Sequence, residues 1–130
     1  MDTGRLEAVY DSLKGSKTYN PGIYAHSDGS PGDVLGHYVL AAPQREFRLR
    51  KRSAMPFGSR YTLVDARTAL ELGWWSAPVL QHFGLTEEQA YALFGLDACL
   101  RAPNSAEAQL YIRRFIASNG ASAPSVSPRR

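Results

Sequence analysis

Apolar residues recur at helical spacing in several stretches of this chain and alternate with charges in one. Leu6, Val9, Tyr10 and Leu13 fall at i, i+3, i+4 and i+7. That stripe predicts a first helix to about Lys14, capped by Asp2 or Thr3 and ended by Gly15. Ser30-Pro31 reads as an N-cap followed by proline at the first helical position, where its missing N–H is harmless. The helix it opens runs to Ala41, and Val34, Leu35, Tyr38 and Val39 make it apolar on most sides, as a central element is. Between the two, Asn20-Pro21-Gly22 and Ser27-Asp28-Gly29 mark turns in an ordered loop anchored by Tyr19, Ile23 and Tyr24.

The texture changes from Gln44 to Val64. Phe47 and Leu49 alternate with Arg48 and Arg50, and Tyr61-Thr62-Leu63-Val64 is β-prone, with Pro56-Phe57-Gly58 between them. An irregular two-stranded hairpin is expected. Asp65 then caps a turn of helix over Ala66 to Leu72. The clearest stretch is Ser76 to Gly95. Ser76 caps a helix with Pro78 in its first turn and Val79, Leu80 and Phe83 on its apolar face, and Gly84 ends it. Thr86 and Gln89 form a capping box for the next helix, with Leu85 as hydrophobic staple and Ala90, Leu93 and Phe94 inward. Ser105 caps a last helix through about Ser118, apolar at Leu110, Ile112, Phe115 and Ile116. The expected fold is a mainly α, small single-domain helical globule of about five helices, residues 1–118, with an inserted basic β-hairpin. Residues 119–130, rich in Ala, Ser and Pro, are expected to be a disordered tail.

Composition agrees with one folded domain: 130 residues, 44% hydrophobic and 21% charged. The single cysteine, Cys99, forms no intrachain disulfide, excludes a four-thiolate zinc site and reads as a small core residue. No run approaches the ~20 apolar residues of a membrane span, and the N-terminus lacks the apolar core of a signal peptide. A cytoplasmic protein with no membrane contact is expected. The net charge of +3 permits an acidic partner without requiring one.

Three pieces of the chain resemble a family of small uncharacterised proteins of phages and bacterial genomes. Tyr19-Asn20-Pro21-Gly22-Ile23-Tyr24 is similar to its Phe/Tyr-Asx-x-Gly-x-Trp/Tyr loop. Asp28-Gly29-Ser30-Pro31-Gly32-Asp33-Val34-Leu35-Gly36-His37 is similar to a Cys-Gly-Thr-x-x-Cys-x-x-Gly-His helix start. Phe83-Gly84-Leu85-Thr86-Glu87-Glu88-Gln89-Ala90-Tyr91-Ala92-Leu93-Phe94 resembles its Leu-Gly-Leu-Thr-x-Glu-Gln-Ala-x-x-Leu-Phe corner and matches best. The resemblance spans Leu6 to Ile116 apart from the hairpin. It implies a fold and a mobile-element origin rather than an activity. Both cysteine positions of the family pattern are aspartate here, Asp28 and Asp33, so thiol chemistry has no place in this chain.

Candidate chemistry is sparse. Asp28, Asp33 and His37 form the one acid–histidine cluster, with Asp33 and His37 at i and i+4 on one helix face. They either share a divalent cation, short of a full ligand set, or make an ordinary helix-start contact. Ser30, His37 and Asp33 sit too close in sequence to form a triad. His26 reads as a loop histidine and His82 as a helix-surface one. Arg45, Arg48, Arg50, Lys51, Arg52 and Arg60, interleaved with Phe47, Phe57 and Tyr61, concentrate positive charge in the hairpin. Strand alternation puts Arg48, Arg50 and Arg52 on one face, where they bind phosphates or an acidic protein or are a solvated edge protected by charge. Of the adjacent Trp74 and Trp75, at most one faces the core squarely. Both are partly buried in a turn, or the second is an interface residue. The leading expectation is a non-enzymatic interaction protein, without metal or cofactor, that binds a host protein through Arg48, Arg50, Arg52, Phe57 and Trp75. The alternative is a nucleic-acid-binding accessory protein using the same hairpin, and a metal-dependent enzyme ranks last.

Overall fold

The structure, a computed structural model, describes residues 1–21, 23–26, 28–41, 46–54, 58–95 and 102–119, with residues 52–54 and 58–60 described by their backbone alone. Five helices and one antiparallel hairpin occupy the described residues. They are α1 (Thr3–Ser12), α2 (Val34–Ala41), β1 (Phe47–Ala54), β2 (Gly58–Asp65), α3 (Ala77–Phe83), α4 (Glu87–Phe94) and α5 (Ser105–Asn119). The fold is thus small, mixed and mainly helical. Phe57, Cys99 and residues 120–130 lie outside the described residues.

The apolar stripe of α1 buries Leu6, Val9 and Leu13 completely. This helix touches α2, α3 and α5, and α2 in turn lies on β1. Around α1 the core gathers Val34, Leu35 and Tyr38 of α2, Phe47 and Leu63 of the hairpin, Val79 and Phe83 of α3, Ala90 and Leu93 of α4, and Ala108 and Ile112 of α5. α1, α4 and α5 bury one face each, so amphipathic spacing survives in them, whereas α2 buries five consecutive residues, Val34 to Tyr38, and is the central element.

Helix starts differ from those expected, each for a local reason. α2 opens at Val34, not at Pro31, because residues 30–33 are held extended against the loop before them. His26 N donates to Ser30 O (2.8 Å), Gly32 N to Tyr24 O (2.9 Å) and Asp33 N to Ile23 O (2.7 Å), with Pro31 bridging Ala25. The cap is Asp33, whose Oδ1 accepts from Gly36 N at 2.7 Å. Likewise α5 is capped by Asn104, whose Oδ1 accepts from Glu107 N (2.9 Å), while Ser105 Oγ donates to Ser16 O (3.2 Å). Ser76 precedes α3 as expected, but its hydroxyl accepts from Gly73 N (2.9 Å) and does not cap the helix. The α3–α4 corner matches its sequence closely. Gly84 is left-handed at φ 65°, and Thr86 and Gln89 exchange both capping-box bonds at 3.1 and 3.0 Å.

The hairpin is more regular than expected. Eight residues of β1 pair with eight of β2, from Phe47 opposite Asp65 to Ala54 opposite Gly58. The expected helical turn after Asp65 is instead a tight turn. Asp65 Oδ1 accepts from Arg67 N (2.8 Å) and Thr68 N (3.1 Å). The chain then returns along β2, with Leu72 N donating to Leu63 O (2.8 Å) and Glu71 bridging Val64. An aspartate satisfied by two backbone amides within three residues favours such a turn over helix continuation.

Gly36 offers a sharp check on the packing of α2. In mid-helix, glycine-to-alanine exchange normally stabilises by ~1 kcal/mol. Here an added Cβ would lie 1.8 Å from the Tyr24 carbonyl oxygen. Gly36→Ala is expected to destabilise by about 1–3 kcal/mol in urea unfolding. Gly4→Ala, whose Cβ would meet nothing closer than 3.5 Å, is expected to stay within ±0.5 kcal/mol.

Candidate functional site

The hairpin's lower half is built into the core. Phe47, Leu63 and Val64 are fully buried, while Arg48 and Lys51 are exposed. Alternation sets Arg48 and Arg50 on the face opposite Phe47 and Leu49. Arg50 is engaged within the fold: its guanidinium donates to Ala69 O (3.2 Å) and lies 3.9 Å from Glu71. Ala69 takes a left-handed φ of 63°, unusual for a residue with a Cβ, at the turn that brings its carbonyl to Arg50. Arg48 makes no hydrogen bond or ion pair among the described residues. Arg52 stands opposite Arg60 in the backbone register.

Trp75, the remaining candidate contact, is 56% exposed. Its ring meets Trp74 edge-on at 5.3 Å, and Trp74 packs in turn against Tyr91 at 5.5 Å. The adjacent tryptophans therefore divide roles, Trp74 going to the core and Trp75 to solvent.

The acid–histidine cluster is not assembled. Exposed Asp28 binds its own loop through Ser30 N (2.9 Å) and Ser30 Oγ (2.7 Å), and these bonds hold its carboxyl below the usual range. Asp33 turns its carboxylate to Gly36 N. His37 is buried, its Nδ1 2.8 Å from the Asp33 backbone oxygen and its Nε2 2.6 Å from Ser16 Oγ. The i, i+4 pair thus meets through backbone, not through side chains. Among the described residues no group of three acids, histidines or cysteines could hold a metal ion.

Asp33 nevertheless has unusual chemistry. Its carboxyl borders a narrow, mostly apolar cavity with Tyr19, Val34, Leu35, Leu93 and Phe94. Burial pushes its pKa up to about 7, against the opposing pull of the Gly36 amide. Burial, aided by the neighbouring Asp33 charge, raises Tyr24 to about 12.

A second polar group was not anticipated. His82 is buried rather than on the helix surface. Its Nε2 lies 2.5 Å from Tyr38 Oη, and its Nδ1 lies 3.1 Å from Arg5 Nη1 and 3.3 Å from Glu46 Oε1. The rings of Tyr38, Phe47 and Phe83 surround it at 4.8 to 5.5 Å. Desolvation first, and the Arg5 charge second, hold His82 below its ordinary pKa. The sequence signal was present: Val79, His82 and Phe83 lie at i, i+3 and i+4, so His82 belongs to the buried stripe of α3. Arg5, Glu46 and His82 form part of the wall of an open cavity of about 330 Å³, with Asp65, Arg67, Pro78 and Gln81.

The raised pKa of Asp33 has a definite sign. The folded chain keeps that proton up to about pH 7, whereas the unfolded chain releases it near 3.8. Stability therefore falls as pH rises from about 4 to about 7 and is level above. At ~1.4 kcal/mol per unit the span reaches ~4 kcal/mol, and the water that still touches the half-buried side chain reduces it to roughly 2 kcal/mol. Asp33→Asn keeps the acceptor for Gly36 and is expected to raise the urea midpoint at pH 8 while leaving it nearly unchanged at pH 4. Comparison of the chain with family models, characterised proteins and solved structures finds no match.

Proposed function

We propose that the protein is a nucleic-acid-binding accessory protein that grips the phosphate backbone with its basic ribbon. One observation carries this reading. From Phe47 to Val64 the ribbon holds five cations, Arg48, Arg50, Lys51, Arg52 and Arg60, and no acidic residue. The cores of protein interfaces are depleted in charged residues, whereas a stretch of one sign suits a polyphosphate. Strand geometry supports it, since same-face positions repeat every ~6.7 Å along a strand and present cations in a row. Arg50 serves chiefly as a brace, tying β1 to the Ala69–Glu71 return. Arg48 and Lys51 are the ribbon's freely accessible charges among the residues whose side chains are described.

Exposed Trp75 favours a second reading, contact with a host protein through an aromatic anchor. Salt separates the two. Anisotropy of a labelled DNA or RNA duplex is expected to show affinity falling linearly on a log–log plot against salt. Arg48→Ala and Lys51→Ala are each expected to weaken binding across all sequences and reduce the slope by about 1. Trp75→Ala is expected to leave it unchanged. Absence of duplex and single-strand binding at low salt would end the nucleic-acid reading.

A further inference from the structure

Beyond the ribbon, the loop after α1 contains an arrangement that the binding reading does not use. We infer that Ser16 is a nucleophile and His37 its general base, forming an acyl-transfer site for small polar esters. Ser16 Oγ lies 2.6 Å from His37 Nε2. The other ring nitrogen, Nδ1, lies 2.8 Å from the Asp33 backbone carbonyl. A carbonyl only accepts, so Nδ1 carries the proton and Nε2 presents its lone pair to the Ser16 hydroxyl. This is the three-part logic of an activated serine: nucleophile, base, and a third group that orients the base. Burial also keeps the His37 imidazole below its ordinary pKa, so it is a free base at neutral pH.

The surroundings supply the remaining parts. Gly15, left-handed at φ 69°, turns the chain sharply just before Ser16. Ser105 Oγ, from the start of α5, holds the Ser16 carbonyl at 3.2 Å. Thr18 N donates toward Ser16 Oγ at 3.3 Å. The Lys17 amide, directly after the nucleophile, has no acceptor among the described residues, and this is a position from which a backbone N–H stabilises a developing oxyanion. Lys17 to Asn20, which follow Ser16 in the chain, line with His26, Asp28 and Ser30, though not with Ser16 or His37 themselves, an open cavity of about 450 Å³. Its polar lining suits a hydrophilic acyl group and not a lipid chain. His26 is held to this segment by Nε2, 2.6 Å from Thr18 O.

The chemistry closes without a further reagent. Ser16 Oγ bonds to the ester carbonyl carbon as its proton passes to His37 Nε2. The bond from that carbon to the alkoxy oxygen breaks, and the departing alcohol takes the proton from Nε2. Water then attacks the acyl-serine, giving a proton to Nε2, and the carbon–Oγ bond breaks as Ser16 recovers its hydrogen. A purely structural Ser–His hydrogen bond would share the distances but not the reactivity.

The test is covalent labelling of the full chain with a fluorophosphonate, with the modified peptide located by mass spectrometry. The expected result is one label, on Ser16, absent in Ser16→Ala and slowed at least ~100-fold in His37→Gln. Hydrolysis of p-nitrophenyl acetate should show the same dependence. Circular dichroism checks that the variants fold. If His37→Gln does not, the pH profile of the wild-type chain decides, read in an Asp33→Asn background to remove the other group that titrates near neutrality. Labelling must fall as acid protonates His37, a protonation that burial and the neighbouring His26 charge both disfavour. No label on the folded chain, a label confined to another residue, a flat pH profile or a rate unaffected by His37→Gln would each overturn the inference.

Discussion

The closest constraint in this fold is the seating of the loop before α2 on the first turn of that helix. Gly36 has no side chain because the Tyr24 carbonyl occupies its place, and a Cβ at Gly32 would lie 2.4 Å from the Ile23 carbonyl oxygen. Three backbone bonds and the Asp33 cap hold the same few residues. From this seat follow the buried positions of Val34, Leu35 and Tyr38, hence the contacts of α2 with α1 and β1. His37 reaches Ser16 from the same turn, and Asp33 is pressed into its apolar surroundings by it. A shift of the helix start by one turn would undo the core and both polar contacts together.

The two buried histidines, His37 and His82, are satisfied in chains, not singly. Tyr38, His82, Arg5 and Glu46 link α2, α3, α1 and the base of β1 through one imidazole. A buried imidazole left without partners would cost a few kcal/mol, so the same contacts that make His82 tolerable also fix how the three helices meet. Neutrality follows from the setting: protonation would place a charge beside Arg5 and inside a ring of aromatics.

Local signals made most of the fold legible. The stripe of α1, the Gly84 turn and the Thr86–Gln89 capping box involve residues at most seven apart, and local sequence determines them. The starts of α2 and α5 were not legible, because Ser30-Pro31 loses to backbone bonds with loop residues 23–26 and Ser105 gives its hydroxyl to the distant Ser16 carbonyl. The Asp65 turn failed for the same reason, since its return is decided by pairing with β2. Of the candidate contacts, the charge of the ribbon was readable and the internal tie of Arg50 was not. His82 could have been placed by its spacing. Ser16 could not, because its partner is 21 residues away and nothing in the sequence sets their distance.

The ribbon shows where stability has been given up. Isolated two-stranded hairpins are marginal in water, and this one survives because Phe47, Leu63 and Val64 fix its base completely. Higher up, the register sets Arg52 opposite Arg60, and like charges in such pairs disfavour strand association. Edge protection by charge needs only one or two cations. Five cations between Phe47 and Val64, of which Arg50 is tied to Glu71, exceed that need, and a carboxylate at position 60 would strengthen the pairing. A polyanion bound along the ribbon, as proposed, would offset the like charges that the register sets opposite one another. The regular register supports this view. The backbone is already in place, and among the residues whose side chains are described Arg48 and Lys51 stand exposed on it.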